Sequence, residues 1–190
     1  MKVLDRPAII LIDLQNDFVS GPMKVDRAKA VVAPLQRLVT TARLNKIPVI
    51  YSNDAHYPQD PEVTMKWGKH AIKGTEGAQV IAELEPDPTK DYVVEKRTYS
   101  GFFETGLDSL LRGLYKGDGV KTVVLGGLHT HMCIRHTAAD AFFRGYRIVV
   151  VKDGVEAFTK EDQEQALKYL EYVYGARVLN VDEIIWELVR

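Results

Sequence analysis

The chain has a single cysteine, Cys133, and five histidines. Cys133 lies in VKTVVLGGLHTHMCIRHTAADAFFRG, residues 120–145, where an apolar β-branched run from Thr122 to Leu125 meets Gly126-Gly127. A helical pattern then runs from about Met132 to Gly145. A thiol in the first turn of such a helix faces unpaired backbone N–H groups and the positive end of the helix dipole. That placement predicts a lowered pKa and a nucleophilic thiolate. The competing reading is a buried structural cysteine. His136, one turn further on, points along its own helix and is expected to make a structural hydrogen bond rather than act as the base. Asp13 and Lys96 are better partners, provided that different strands carry them to one edge. Taken singly, Asp13 could be a helix N-cap or turn residue, and Lys96 a solvated lysine beside Arg97. Asp54-Ala55-His56, together with His70, offers one carboxylate and two imidazoles. That donor set suits zinc, iron or manganese with open positions left for water. A polar loop with surface histidines is the alternative.

The elements that would position these groups follow from the apolar runs. Strands are expected at Ala8–Ile12, ending at Asp13, and at Ile47–Tyr51, ending in Ser52-Asn53-Asp54-Ala55-His56. Others are expected at Tyr92–Val94, followed by Glu95-Lys96-Arg97, at Thr122–Leu125, Arg147–Val151 and Ala176–Leu179. Helices are expected within Arg27–Leu44, beginning or bending at Pro34, and at Ala78–Leu84, Thr105–Tyr115, Met132–Gly145, Glu161–Tyr172 and Val181–Val189. Strands alternating with helices imply a parallel sheet covered on both faces. In such sheets ligands bind outside the carboxyl ends of the strands, where strand order switches. Asp13, Asp54 with His56, Lys96 and Cys133 follow four successive strands, and that coincidence predicts an active site.

Composition narrows the class. A chain of 190 residues without repeats, low-complexity tracts or a linker reads as one domain over 1–190. A net charge of −1 suggests neither a nucleic-acid nor a membrane surface. One cysteine excludes an intramolecular disulfide and a multi-cysteine zinc site. The opening MKVLDRP is too polar for a signal peptide, and no apolar run approaches bilayer length, so a cytoplasmic protein is expected.

Four segments together resemble the isochorismatase-like cysteine hydrolases, and within them the nicotinamidases: AIILIDLQNDF, YSNDAHY, VEKRTYSGFFET and GGLHTHMCIRHTAADAFFRGY. The resemblance covers nearly the whole chain. It implies a three-layer α/β/α fold with a six-stranded parallel sheet in the order 3-2-1-4-5-6. It implies a catalytic triad of Asp13, Lys96 and Cys133, with Asp54, His56 and His70 as ligands of a divalent metal, zinc first, and no organic cofactor. Phe18 and Trp67 match the aromatic walls of a nicotinamide pocket, which Leu128 and His129 adjoin. A cis peptide is implied at Leu128-His129, with the backbone N–H groups of His129 and Cys133 forming an oxyanion hole. A small-molecule amide substrate and a homo-oligomer are implied as well. Two features depart from the nicotinamidase pattern. His129 replaces a small residue, and Thr130-His131-Met132 lacks an acidic residue after the threonine. The loop is therefore closer to the broader family, which includes N-carbamoylsarcosine amidase and other ureido hydrolases. Two rivals are a metal-dependent hydrolase with a structural Cys133 and a non-catalytic binding or assembly module.

Overall fold

In the computed structural model, which describes residues 4–190, six strands form one parallel sheet. They are β1 (Pro7–Ile12), β2 (Val49–Asp54), β3 (Tyr92–Lys96), β4 (Thr122–Leu128), β5 (Arg147–Glu156) and β6 (Arg177–Leu179). Their order is β3-β2-β1-β4-β5-β6, as the resemblance implies. Part of the polar opening segment, residues 1–3, lies outside the described residues. Among the described residues no helix is long and apolar enough to cross a membrane.

The helices are α1 (Asn16–Val19), α2 (Val32–Leu44), α3 (Leu107–Gly113), α4 (Arg135–Phe143), α5 (Lys160–Tyr174) and α6 (Val181–Leu188). Side-chain alternation along the strands creates two cores. Ile9, Leu11, Val49, Val124 and Val149 face one way, with Leu35 and Leu38 of α2 and Ile184 of α6. Ala8, Ile10, Ile50, Val123 and Val150 face the other way, with Leu111 of α3, Ala138 and Ala141 of α4 and Leu170 of α5. The central strands are buried on both faces, so they read in sequence as unbroken apolar runs. Pro34 sits in the first turn of α2, where its missing N–H has no partner to lose.

Several expected boundaries move. The strand before the cysteine does not stop at Gly126-Gly127 but continues to Leu128. A Cβ at Gly127 would come within 2.0 Å of the Ile12 carbonyl oxygen, and one at Gly126 within 2.6 Å of Leu35 of α2, so these glycines permit close approach of the neighbouring strand and helix rather than a break. β2 and β3 extend to Asp54 and Lys96, which face each other in the ladder, so both groups are strand residues rather than loop residues. The helix expected at Ala78–Leu84 is instead two short 3₁₀ turns, Glu76–Ala78 and Ala82–Leu84. The helix expected from Met132 divides into a wide turn, Thr130–Ile134, followed by α4.

Candidate active site

Strand order reverses between the neighbours β1 and β4, and the polar groups collect at the carboxyl ends of the strands around that point. Asp13 leaves β1 with φ 52°, a left-handed conformation that Asp tolerates better than most residues with a Cβ. Its backbone N–H still donates to the Ser52 carbonyl at 3.1 Å, which holds the turn against β2. Cys133 sits in the wide turn after β4, and the Leu128-His129 peptide before it is cis, as expected.

Lys96 is the hub. Its Nζ donates to Asp13 Oδ2 at 2.9 Å, to Asp54 Oδ1, and to Cys133 Sγ at 3.8 Å. All four side chains are buried; Cys133 is 2% and Lys96 1% exposed. Donor atoms of Asp13, Asp54 and Cys133 lie within 4.8 Å of one another. The sequence reading that makes Lys96 a solvated surface lysine is therefore overturned.

Burial and pairing set the charges. Burial alone would push the Lys96 ammonium down, but Asp13 and Asp54 outweigh it and hold the pKa well above the usual lysine value. Burial would push Asp54 up, but Lys96 and then His56 hold it below the usual carboxylate value. Asp13 goes the other way. Burial, reinforced by the Asp54 charge, raises it to about 7 despite Lys96. The one ammonium is shared between two carboxylates. The lowered thiol pKa expected for Cys133 is corrected as well. Burial pushes it well above the usual value, and Lys96 offsets this only in part. The local helix-turn argument fails because the thiol is enclosed and two carboxylates share its surroundings.

His136 has no place in this cluster. Its Nδ1–H donates to the Met132 carbonyl at 2.9 Å, the structural hydrogen bond expected of it.

Beside the cluster, the donor atoms of Asp54, His56 and His70 also lie within 4.8 Å of one another. Both nitrogens of the buried His56 ring lack a hydrogen-bond partner. Its Nε2 is 3.4 Å from Asp54 Oδ2, close to the edge of about 3.3 Å expected between two ligands of a tetrahedral ion. His70 Nδ1–H donates to the Gly68 carbonyl at 2.8 Å, leaving Nε2 as a lone-pair donor. Orphaned buried nitrogens and a carboxylate in this arrangement fit a divalent cation. Asp54 serves both groups, with Oδ1 toward Lys96 and Oδ2 toward His56.

Supporting residues missed in the sequence hold these groups in place. Gln15, fully buried, accepts from the Asp54 N–H at 3.0 Å and donates to the Asp54 carbonyl at 2.7 Å, fixing the end of β2. Asp17 accepts from the Ala71 N–H at 2.8 Å and so anchors the loop that carries His70. A Cβ at Gly77 would fall 2.2 Å from Asp17 Oδ2, so only glycine lets that carboxylate sit there. Gln15 and Asp17 both stand in the AIILIDLQNDF segment, which was their one visible signal.

The aromatic residues line the same region. Phe18 packs edge-on to His70 at 5.8 Å and against His129 at 5.7 Å. Trp67 donates from Nε1 to the Tyr99 hydroxyl at 3.0 Å and packs 5.7 Å from Phe158. Phe158, also missed in the sequence, lies 4.5 Å from His129. Burial holds the His129 imidazole down at about 3, so it is neutral. Leu128 is wholly buried and packs on the core face shared with α2. A cavity of about 740 Å³ reaches Lys96 but is bordered by none of Phe18, Trp67, His129 or Cys133. It is a groove beside the cluster, and the chemistry is better located by the cluster's geometry than by cavity size.

The profile of the isochorismatase domain matches residues 7–183. This chain belongs to the isochorismatase family. Among similar proteins of known structure is the N-carbamoylsarcosine amidase of Thermoplasma acidophilum. It is 44% identical, with a TM-score of 0.84 over 93% of this chain and 96% of that one. Nicotinamidase 3 of Arabidopsis thaliana is 30% identical over 88% of this chain and 82% of its own length. The ureidoacrylate amidohydrolase RutB of Acinetobacter baylyi is 32% identical over 78% of this chain and 70% of its own. The isochorismatase-family relatives thus share the frame and differ in the amide each is named for.

Proposed function

We propose that this isochorismatase-family chain is a cysteine-dependent amidohydrolase that converts nicotinamide and water to nicotinate and ammonia. The observation that carries the reading is the buried contact of Lys96 with Asp13, Asp54 and Cys133 beside the Asp54–His56–His70 donor set. Asp13 takes the Cys133 proton. Both groups are enclosed and both have raised pKa values, so moving the proton between them leaves the buried charge unchanged. Lys96 stays close to whichever group carries the negative charge. Cys133 Sγ attacks the amide carbon, and the backbone N–H groups of His129 and Cys133 receive the oxyanion. One good donor there is worth about 3–4 kcal/mol. Asp13 returns the proton to the departing ammonia, then deprotonates the water that cleaves the thioester. Phe18 and Trp67 flank the ring. Asp54, His56 and His70 would hold a divalent ion, zinc first, which when bound supplies a template for the substrate ring rather than carbonyl activation.

A second reading keeps the mechanism and changes the substrate to a ureido compound. It is favoured by the 44% identity to a protein named for N-carbamoylsarcosine and by the Thr130-His131-Met132 loop. Ammonia release from nicotinamide, pyrazinamide, N-carbamoylsarcosine and simple aliphatic amides, compared by kcat/KM, separates the two. Nicotinamide leading the panel supports the first reading, and a ureido substrate leading replaces it. No release from any of them would leave the non-catalytic rival standing.

The base must be ionised to accept the thiol proton. With Asp13 raised to about 7, kcat/KM is expected to climb as pH rises through about 7 and to fall tenfold per pH unit well below it. A pH–rate profile flat from 5 to 8 would remove Asp13 as the base. Chelation, or His56→Ala, is expected to raise the KM for nicotinamide strongly and to affect an aliphatic amide less. Full nicotinamide turnover in excess EDTA, with no divalent metal found by elemental analysis, would take the metal out of the reaction.

A further inference from the structure

Asp60 is a charged side chain only 2% exposed, and neither the proposed triad nor the metal ligands include it. It closes a tight turn, with its N–H donating to the Tyr57 carbonyl at 3.0 Å. Its Oδ2 accepts from the Tyr57 N–H at 2.9 Å and from Arg97 Nε at 3.1 Å, and Arg97 Nη2 pairs with Oδ1. On its inner side, Oδ2 lies 3.5 Å from His56 Nδ1. The His56 ring therefore stands between two carboxylates, with Asp54 on the Nε2 side and Asp60 on the Nδ1 side.

We propose that Asp60 is a positioning residue that fixes the His56 ring with Nδ1–H toward its own carboxylate and leaves the Nε2 lone pair for a divalent cation. The inference rests on the metal reading of Asp54, His56 and His70. An imidazole presents one lone pair when neutral, and the hydrogen bond at one nitrogen decides which nitrogen carries it. An anionic acceptor at Nδ1 also makes Nε2 a stronger donor to the ion. The Tyr57 N–H holds Oδ2 on the His56 side, while the half-exposed Arg97 guanidinium pairs with the carboxylate from the solvent side. His70 Nδ1–H makes the corresponding hydrogen bond to the Gly68 carbonyl at 2.8 Å, whereas the 3.5 Å between His56 Nδ1 and Asp60 Oδ2 is a charge contact that a slight ring or carboxylate turn would close into one.

The test titrates Zn²⁺ and Co²⁺ into full-length protein stripped by a chelator, in competition with a chromophoric chelator, and records the Co²⁺ absorption spectrum. Asp60→Asn keeps the shape and removes the charge. It is expected to weaken Zn²⁺ binding about 10- to 100-fold and to alter the Co²⁺ bands. Asp60→Glu should recover part of the affinity. Arg97→Met leaves the carboxylate facing His56 and should change affinity less than about threefold. Wild-type affinity and spectrum in Asp60→Asn would overturn the inference while leaving the metal reading intact. Equal losses in Asp60→Asn and Arg97→Met would assign the effect to anchoring of the turn and would also overturn it. Failure of the unaltered protein to bind either ion would remove the metal reading and this inference together.

Discussion

Cys133→Ala is expected to lower kcat/KM for the best amide substrate by at least about three decades, the scale seen when a covalent nucleophile is removed. The side chain is small and buried, so the fold should survive the change and the loss should appear in turnover. Sγ is the one atom near Lys96 and Asp13 able to form a thioester, and the neighbouring groups do little once it is gone. The raised thiol pKa sharpens the expectation. Iodoacetamide should modify native Cys133 more slowly than the unfolded chain at the same pH, because burial keeps the thiol protonated. Substantial amide turnover by Cys133→Ala would make the cysteine structural and favour the metal-dependent rival.

Lys96→Met should be nearly as damaging to activity, for a different reason. The ammonium contacts two carboxylates and the thiol, and removing it leaves Asp13 and Asp54 enclosed without a counter-charge. Breaking one partner out of a buried ion pair is destabilising by roughly 3–5 kcal/mol. Asp13 should then be pushed above about 7, making it a base that is protonated at neutral pH. Activity and thermal stability are therefore expected to fall together in Lys96→Met. Asp13→Asn keeps the shape and the Lys96–Asp54 pair, so it should lose activity with a much smaller change in melting temperature. If the three residues work as a unit, adding Asp13→Asn to Lys96→Met should reduce activity little further. Small, additive losses would mean that Asp13 and Lys96 only support the fold.

The fold was legible because each central strand is an unbroken apolar run with a clear end. Ile9 to Ile12 and Val123 to Leu125 could only be buried on both faces, and the alternation with helices then required parallel pairing. Lys96 and Asp54 were legible as groups at strand ends. The extent of the strands was less so. The Gly126-Gly127 pair looks like a break to any local reading, and only the Ile12 backbone packed against it explains why the strand runs on.

The sequence by itself determined which reactive side chains sit at the ends of which strands, because apolar periodicity and its interruptions are written locally. Their partners were decided by the tertiary structure. Gln15 clamping Asp54, Asp17 anchoring the His70 loop, Phe158 lying against His129, and Arg97 pairing with Asp60 all join segments brought together only by packing. The charge states were decided there too. A helix-turn position predicts a lowered thiol pKa, yet the enclosed Cys133 is raised, and beside the same Lys96 the Asp13 carboxyl is raised while Asp54 is lowered. A pKa depends on the water excluded and the charges within a few ångströms, and strands far apart in the chain supply both.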